Sequence, residues 1–503
     1  MERRAPIAYL GDFIDGAFVR PKKLDGEWAN VSPADLKDQV IKIEYEFNQV
    51  DDACRAAKEA FPAWSALTID QRKPYLLRLK EIFLAHADEM AEVISRETGK
   101  PFWETKTEAA ALANKIDITL NDSLKLVGDV MIENALPGVT GYTRFKPRGV
   151  LAVLGPFNFP AHLPNGHIIP ALATGNTVVF KPSEMTPATG QLLAQFFERA
   201  QFPKGVFNMV QGRGQVGERL VLSENVEGVL FTGSYETGLK IKQATMTHFW
   251  KILALEMGGK NASIVWDDAD LEKAVFENVV GSFSSTGQRC SCTSRIILGR
   301  RIADQFISRF YEAAKRLTIG HWSEKVFMGP LINESTVEKY IRFQGIAKRE
   351  DCESLMRGKA LDLPTPGHYV TPSINIVKKP DPESIYQKTE LFAPNVAIYT
   401  VDDFDEALDI VNSSSYGLVL SVFSKDRSFY ERAMHRARVG LVNWNRSTVG
   451  ASSRLPFGGM GKSGNHQPSA NFAVYYCTAP FACLEDTTPF DRSKIPPGMK
   501  YET

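Results

Sequence analysis

Two cysteines near the middle of the chain are the first residues whose spacing suggests chemistry. Cys290 and Cys292 lie two positions apart in FSSTGQRCSCTSR, which runs from Phe283 to Arg295. Structural zinc sites space two cysteines by about two to four residues and add a second ligand pair, and this sequence has no matching pair. Side chains at i and i+2 diverge on a strand and on a helix, so at most one sulfur faces a given cleft. The pair is therefore either a nucleophile with a neighbour or two small buried side chains, and no metal site is expected.

Two other stretches place a polar side chain directly after a short apolar run. LGPFNFP contains Asn158, whose amide is suited to donating a hydrogen bond to a developing oxyanion. ILALEMGGKN contains Glu256, and a carboxylate that follows an apolar run is expected to lose hydration, which raises its pKa toward that of a general base. A structural asparagine that caps a turn is the alternative for Asn158.

A third stretch, NTVVFKPSE, ends in Lys181, Ser183 and Glu184. A cation and an anion after an apolar strand are suited to gripping the hydroxyl groups of a ribose. A carboxylate accepts hydrogen bonds from the 2′- and 3′-hydroxyls and repels a 2′-phosphate, which favours NAD over NADP. The alternative is an ordinary solvated loop pair.

A fourth stretch, FTGSYETG, places Gly233, Ser234 and Gly238 at the start of a predicted helix. Backbone N–H groups at a helix N-terminus are suited to binding a pyrophosphate. The stretch lacks the G-x-G-x-x-G fingerprint, and a simple serine N-cap is the alternative.

The elements that must position these residues alternate between strand and helix. Residues 51–65 and 69–99 have helical periodicity and end at ETGKP, where Gly99 and Pro101 stop the second helix. From residue 149 to about 257, and again from 261 to about 440, short apolar runs alternate with helical patterns, which predicts two doubly wound parallel sheets. Ligands bind such sheets at the carboxyl ends of the strands, which is where the polar residues lie.

Two segments fit neither sheet. GVTGYTRFKPRG and NFAVYYCTAPFACLE both alternate in polarity and are predicted to be extended. Such strands need partners, so a protruding sheet that pairs with another subunit is expected.

Composition excludes several functional classes. The 503 residues suit two large domains, and Lys+Arg and Asp+Glu balance at 59 each, so neither nucleic acid nor an anionic membrane is an expected partner. Gly11, Asp12 and Asp15 interrupt the apolar part of the N-terminal stretch, and no apolar run reaches the roughly 18 residues of a membrane helix. We expect a cytoplasmic protein whose six cysteines are reduced.

Taken together, the motifs resemble the aldehyde dehydrogenase superfamily over essentially the whole chain. The stretches LGPFNFP, FKPSE, FTGS, LEMGGKN, GQRC, ELFAPN and LPFGGMGKSG occur in this order. The resemblance implies an α/β, aldehyde dehydrogenase-like fold with two parallel-sheet α/β domains and a β-strand oligomerisation arm. It further implies an NAD-binding domain of residues 1–130 and 149–257, a catalytic domain of residues 258–468, an arm of residues 131–148 and 469–503, and a homodimer or homotetramer.

The resemblance also implies roles for individual residues. Cys290 matches the nucleophile that forms a thioester with the aldehyde, Asn158 the oxyanion donor and Glu256 the base, while Cys292 matches no assigned role. Cofactor contacts match Lys181, Ser183, Glu184, Gly233, Ser234, Tyr235, Glu236, Thr237, Gly238, Glu390 and Phe392. Family members that transfer the acyl group to coenzyme A generally lack the glutamate, so Glu256 favours hydrolysis.

A finer resemblance is to the subgroup that oxidises N-succinylglutamate 5-semialdehyde in arginine breakdown. It depends on NFPAHLPNGHIIPALATGNTVVFKPSE, ETGKPFWET, ALEMGG, GQRCSC, VNWN and SGNHQPSA. A polyanionic substrate needs cationic or N–H donors. Candidates for that role are His162, Arg289, Ser291, the backbone of Gly450 and Ala451, Arg446 and Arg454. Each cationic residue is alternatively an ordinary surface group.

Other functions remain open at this point. The alternative substrates are glutamate 5-semialdehyde, in equilibrium with 1-pyrroline-5-carboxylate, and a broad range of aldehydes. A non-catalytic binding protein of the same fold is the remaining hypothesis, and it predicts loss of Cys290, Glu256 or Asn158, all of which are present.

Overall fold

The computed structural model of the protein describes residues 4–501 and contains two seven-stranded sheets. Strands in the centre of each sheet are parallel, and helices connect them. The predicted α/β fold class is confirmed.

The first sheet has the switched strand order of a doubly wound fold. Val150–Leu154 is the first of the parallel strands in sequence, and it lies between Thr177–Lys181 and Val226–Thr232. The later parallel strands are therefore added on both sides of it. Such a switch leaves a crevice at the carboxyl ends of the strands. In spatial order the strands are Ile252–Glu256, Val226–Thr232, Val150–Leu154, Thr177–Lys181, Phe207–Met209, Asp12–Ile14 and Ala17–Val19, of which the last two are antiparallel additions.

The second sheet is built in the same way from the later part of the chain. All its strands are parallel except the edge strand Glu353–Met356. In spatial order the strands are Glu353–Met356, Ser373–Ile376, Asn395–Val401, Thr293–Gly299, Asn261–Val265, Val419–Phe423 and Leu441–Trp444.

Both sheets are buried on both faces, as their continuous apolar runs predict. In the strand Val150–Leu154, Leu151 and Val153 pack into one core cluster while Val150 and Ala152 pack into another. The strand Thr293–Gly299 divides its side chains in the same alternating way.

Helices cover these faces. The helices are Asn48–Ala66, Ile69–Ala85, Ala87–Thr98, Phe102–Asn121, His162–Ala173, Pro187–Arg199, Gly214–Leu222, Tyr235–Ala244, Leu271–Phe283, Ala303–Lys315, Glu334–Arg349, Ile385–Lys388, Phe404–Asn412, Arg427–Arg436 and Ala473–Cys477. The single helix predicted for residues 69–99 is two helices, because the backbone of His86 leaves the helical region (φ −116°, ψ 23°). None of the helices in residues 4–501 is long and apolar enough to cross a bilayer.

A three-stranded antiparallel sheet joins the two segments that fit neither main sheet. Thr478–Asp486 pairs with Val139–Pro147 along its whole length, and Val130–Leu136 forms the other edge. The two predicted extended segments therefore pair with each other. The prediction is wrong for Ala473–Cys477, which is a short helix. Its Tyr476 and Cys477 are buried in the core beside the first sheet, and that packing overrides the strand-like pattern of the sequence.

Shorter pairings complete the fold. They are Gly26–Val31 with Gln39–Tyr45, Tyr416–Gly417 with Met460–Gly461, and Pro456–Phe457 with Ser469–Ala470.

Candidate active site

A cleft of about 1310 Å³ lies at the carboxyl ends of the first sheet's strands and is closed by loops of the second. Drug-sized ligands occupy roughly 300–1,000 Å³, so this volume suits a larger molecule such as a dinucleotide. Asn158 and Cys290 both line the cleft although 132 positions separate them in the chain. Tertiary structure thus brings two of the three predicted catalytic residues to one surface.

Cys290 lies on a loop between the helix Leu271–Phe283 and the strand Thr293–Gly299. The side-chain amide of Asn261 donates to the carbonyl oxygens of Cys290, at 2.7 Å, and Cys292, at 2.9 Å. The loop also passes so close to Gly259 that a Cβ there would lie 2.4 Å from the Cys290 carbonyl oxygen. These contacts fix the backbone that carries the thiol.

The Cys290 thiol is free and half-buried. Burial, followed by the negative charges of Glu390 and Glu256, raises its pKa to about 12. The thiol is therefore protonated at neutral pH unless a base accepts its proton. Cys292 is fully buried, and its sulfur lies 3.8 Å from the carbonyl oxygen of Ser284, so it faces away as the i, i+2 geometry predicts.

Asn158 follows the strand Val150–Leu154 and is buried. Its Nδ2 donates to the carbonyl oxygen of Gln288 at 3.0 Å, two residues before Cys290. A carboxamide nitrogen carries two donors, so one N–H is held by the nucleophile loop and the other is available to a substrate oxygen. This hydrogen bond links the amide to the loop that carries the thiol.

Glu256 is the last residue of its strand and is buried. Burial raises its pKa well above the usual range for glutamate, and its Oε2 has no hydrogen-bond partner among residues 4–501. Its negative charge contributes to the raised pKa of Cys290. A buried carboxylate that is only partly satisfied by the Ser469 backbone N–H, and whose pKa is raised, has the properties of a general base.

The far end of the cleft contains the predicted ribose-binding residues. Lys181, Ser183 and Glu184 all line the cleft, and the Lys181 ammonium lies 3.8 Å from a Glu184 carboxylate oxygen. Burial lowers the pKa of Lys181. Trp28 Nε1 donates to the Glu184 carbonyl oxygen at 3.2 Å and holds this turn in place.

The predicted pyrophosphate loop leads into the helix Tyr235–Ala244. Ser234 caps the helix by accepting from the Thr237 N–H at 3.2 Å, and Gly233, Ser234, Glu236 and Thr237 line the cleft. Tyr235 instead packs against Lys462, whose Nζ lies 4.8 Å from the ring centroid. Gly238 packs against Met257, where a Cβ would lie 2.5 Å from the sulfur. The first turn of the helix is therefore open to a ligand, and Lys240, Ile241, Gln243 and Ala244 farther along the helix also line the cleft.

Glu390 and Phe392 close the cleft from the second sheet. The Glu390 carboxylate accepts from the Gly259 N–H at 2.7 Å, and burial raises its pKa to about 7. Phe392 has a left-handed backbone (φ 55°), and its ring contacts Phe157 edge-on at 5.9 Å.

The predicted substrate-binding residues differ from one another in burial and in hydrogen-bond partners. His162 is half-buried at the start of the helix His162–Ala173, and its Nδ1 has no partner among the described residues. The Arg289 guanidinium stacks over Phe159 at 5.1 Å and pairs with Glu104 at 3.4 Å. Ser291 is buried.

The loop after strand Leu441–Trp444 contains the remaining candidates. Gly450 and Ala451 are exposed there, and Thr448 joins the loop to Thr293 through a 2.8 Å hydroxyl contact. The Arg454 guanidinium is exposed and pairs with Asp122 at 2.7 Å, and Arg446 is exposed. The structure thus already pairs both Arg289 and Arg454 with carboxylates.

Four functional-site residues escaped the sequence analysis: Lys100, Glu104, Glu108 and Asn261. All four are buried and hydrogen-bonded to the loops that carry Asn158 and Cys290. The signal available for Asn261 is its place in LEMGGKN, five positions after Glu256, and for Lys100 its place in ETGKP. For Glu104 the signal is its place in ETGKPFWET, and for Glu108 it is the i, i+4 spacing from Glu104.

Comparison with known proteins identifies the family of the chain. The model of the aldehyde dehydrogenase family matches residues 18–479. N-succinylglutamate 5-semialdehyde dehydrogenase of Acinetobacter baylyi is 39% identical over 499 residues, covering 98% of this chain and all of that protein. The protein of the same name from Escherichia coli K12 is 38% identical and covers 90% of this chain and 91% of its own.

Solved structures agree in fold. Lactaldehyde dehydrogenase from Escherichia coli superposes with a TM-score of 0.90 at 29% identity, covering 96% of this chain and 100% of that one. The NAD-bound 1-pyrroline-5-carboxylate dehydrogenase from Thermus has a TM-score of 0.89 at 28% identity, with 96% and 93% covered. With motifs, cleft, fold and relatives in agreement over nearly the full length, this chain belongs to the aldehyde dehydrogenase family.

Proposed function

We propose that this chain oxidises N-succinyl-L-glutamate 5-semialdehyde to N-succinyl-L-glutamate with NAD, as a step of arginine breakdown. The observation that carries the proposal is the convergence of Cys290 and Asn158 on one cleft. Glu256 adds a buried carboxylate whose Oε2 has no partner among residues 4–501 and whose charge helps to raise the pKa of Cys290. The relatives named for this substrate, at 38–39% identity over nearly the whole chain, support the choice of aldehyde.

The residues divide the chemistry between them. Glu256 accepts the Cys290 proton directly or through water, and the thiolate attacks the aldehyde carbon. The oxyanion that forms is stabilised by the free Asn158 N–H and by the backbone N–H of Cys290. Loss of hydride from that carbon to the nicotinamide leaves a thioester on Cys290. Glu256, once it has released the thiol proton to solvent, takes a proton from the water that hydrolyses the thioester. The net reaction converts aldehyde, NAD and water into carboxylate, NADH and protons.

The cleft fits a dinucleotide on its own geometry. Its lining includes the Glu184 carboxylate, the capped helix N-terminus at Ser234, the Glu390 carboxylate and Cys290. Glu184 would accept the adenosine ribose hydroxyls, the Ser234–Thr237 turn the pyrophosphate, and Glu390 the second ribose. The bound nicotinamide supplies the hydride acceptor.

We also propose roles for the larger units and for the assembly. Residues 1–130 and 149–257 bind NAD, residues 258–468 carry catalysis, and residues 131–148 and 469–503 associate subunits into a homodimer or homotetramer in the cytoplasm. Apolar side chains on the arm support this proposal, since Met131 and Leu484 are 55% and 60% exposed.

A comparison of three aldehydes tests the substrate. We expect kcat/KM, followed by NADH absorbance, to be highest for N-succinylglutamate 5-semialdehyde, lower for glutamate 5-semialdehyde, and lowest for a simple aliphatic aldehyde. Equal values for the three would exclude the narrow assignment and leave a broad-specificity enzyme. A preference for glutamate 5-semialdehyde would instead support the function of the 1-pyrroline-5-carboxylate dehydrogenase relative.

A further inference from the structure

Two buried glutamates on the helix Phe102–Asn121 contact the two catalytic loops. Glu104 and Glu108 are four residues apart, so they lie on the same side of the helix, about 6 Å apart along its axis. Both are almost fully buried, at 4% and 3% exposure. Buried carboxylates need hydrogen bonds to offset lost hydration, and the partners show what each one holds.

Glu108 holds the turn that follows Asn158. Its Oε1 accepts from the backbone N–H groups of Ala161, at 3.1 Å, and His162, at 3.2 Å. Its Oε2 pairs with the buried Lys100 ammonium at 2.6 Å, and Lys100 also donates to the Asn158 carbonyl oxygen at 2.7 Å. The Lys100–Glu108 pair therefore contacts the Asn158 turn at both ends.

Glu104 holds the loop that precedes Cys290. Its Oε1 accepts from the Ser285 N–H at 2.8 Å, and its Oε2 accepts from the Ser285 hydroxyl at 2.5 Å. Arg289 adds a 3.4 Å contact with the same carboxylate. Ser285 and Thr286 both have left-handed backbones, with φ of 49° and 55°. That conformation is unfavourable for residues other than glycine and persists only where surrounding contacts hold it.

We propose that Glu104 and Glu108 are positioning residues that set the distance between the Cys290 thiol and the Asn158 amide. This inference rests on the proposed function of those two groups. Asn158 follows a strand of the first sheet and Cys290 precedes a strand of the second, so neither sheet alone fixes their separation. One rigid helix with a carboxylate on each loop supplies that constraint.

The test compares Glu104→Gln and Glu108→Gln with a matched control, Glu97→Gln. Glu97 is equally buried and accepts three hydrogen bonds, but from Ala188 and Thr189 at the start of the helix Pro187–Arg199. Each variant is assayed for kcat at saturating aldehyde and NAD, for melting temperature, and for the rate at which iodoacetamide alkylates Cys290 without NAD.

We expect kcat to fall about 10–100-fold in Glu104→Gln and Glu108→Gln, because a displacement near 1 Å has that effect on aligned catalytic groups. KM for the aldehyde should change much less. Glu108→Gln should leave the alkylation rate within about twofold of the wild type, because Asn158 acts on a carbonyl oxygen and not on the thiol. Glu104→Gln should change that rate by at least about threefold, because its loop carries the thiol. Glu97→Gln should lose melting temperature while keeping kcat within about twofold.

Glu108→Gln leaves the Lys100 ammonium without its buried partner, which can prevent folding. The double variant Lys100→Met/Glu108→Gln removes both charges and still lacks both contacts to the Asn158 turn. It should fold and show the same fall in kcat, and a folded double variant with wild-type kcat would overturn the role of Glu108.

The positioning role is wrong if kcat in Glu104→Gln and Glu108→Gln falls no further than in Glu97→Gln. It is equally wrong if kcat and alkylation fall in parallel in all three variants, since that indicates a general loss of structure. A wild-type enzyme that forms no NADH from any aldehyde would refute the proposed function instead. The alkylation rates of Glu104→Gln and Glu97→Gln then decide on their own whether Glu104 positions the thiol.

Discussion

Glu184→Gln is the substitution that most directly tests the cofactor preference. Glu184 lines the cleft with its carboxylate 3.8 Å from the Lys181 ammonium, and its side chain is 41% exposed. Glutamine keeps the shape and removes the negative charge. The turn should stay in place because Trp28 hydrogen-bonds to the backbone carbonyl of residue 184 and not to its side chain.

The size of the effect follows from Coulomb's law. Two unit charges about 4 Å apart repel by ~1 kcal/mol in water and by ~4 kcal/mol at an effective dielectric constant near 20. Because Glu184 is partly exposed, the lower part of that range applies, about 1–2 kcal/mol between its carboxylate and the 2′-phosphate of NADP. Since ~1.4 kcal/mol is tenfold in an equilibrium constant, Glu184→Gln should lower the NAD-to-NADP ratio of kcat/KM by about 5–30-fold.

The assay is kcat/KM for NAD and for NADP at fixed saturating aldehyde, in low and in high salt. Most of the change in the ratio should be a gain in kcat/KM with NADP. The change should be smaller at high salt, because salt already screens the repulsion between Glu184 and the 2′-phosphate in the wild type. Glu218→Gln is the matched control, because Glu218 also lines the cleft and lies outside the proposed ribose contacts. An unchanged ratio in an active Glu184→Gln enzyme would refute the electrostatic explanation of NAD preference.

Three further substitutions test the proposed catalytic roles. Cys290→Ala should abolish aldehyde-dependent NADH formation, and normal activity in that variant would exclude the nucleophile. Asn158→Ala should lower kcat by about 10²–10³-fold with little change in KM, as loss of an oxyanion donor does, whereas a rise in KM alone would assign Asn158 to substrate binding. Glu256→Gln should slow thioester hydrolysis more than the earlier steps. Rapid-mixing experiments should therefore show that steady-state formation of NADH is lost. Because burial raises the pKa of Glu256, the base is protonated and inactive at low pH, so wild-type kcat should rise with pH. Persistence of that rise in Glu256→Gln would assign it to another group.

Much of the architecture was predictable from the sequence because the signals are local. Apolar runs such as GVLAVLGPF and RIILG alternate with helical patterns, and the structure confirms two parallel sheets at those places. The errors also have local causes. A helical pattern runs through His86 although the backbone breaks there, and Ala473–Cys477 alternates like a strand although tertiary packing makes it a helix.

The positions of candidate functional residues at strand ends were predictable for the same reason. Glu256 ends an apolar strand and Asn158 follows one, so period and polarity mark these two residues. Cys290 precedes the strand Thr293–Gly299, and the cysteine pair marks it instead. The pairing of the two arm segments with each other was not predictable, since 331 positions separate Pro147 from its partner Thr478 and the pattern of a strand does not identify its partner.

By itself the sequence determined which residues are able to do chemistry, because side-chain type and strand-end position are properties of short segments. Only the tertiary structure decided how those residues are held together. Glu104 and Glu108 have the i, i+4 spacing of an ordinary solvated helix face. Their contacts with Ser285 and Ala161 arise because the helix Phe102–Asn121 packs between loops of the two sheets. Burial, raised pKa values and the alignment of the thiol with the amide all depend on that packing, which no short stretch of the sequence encodes.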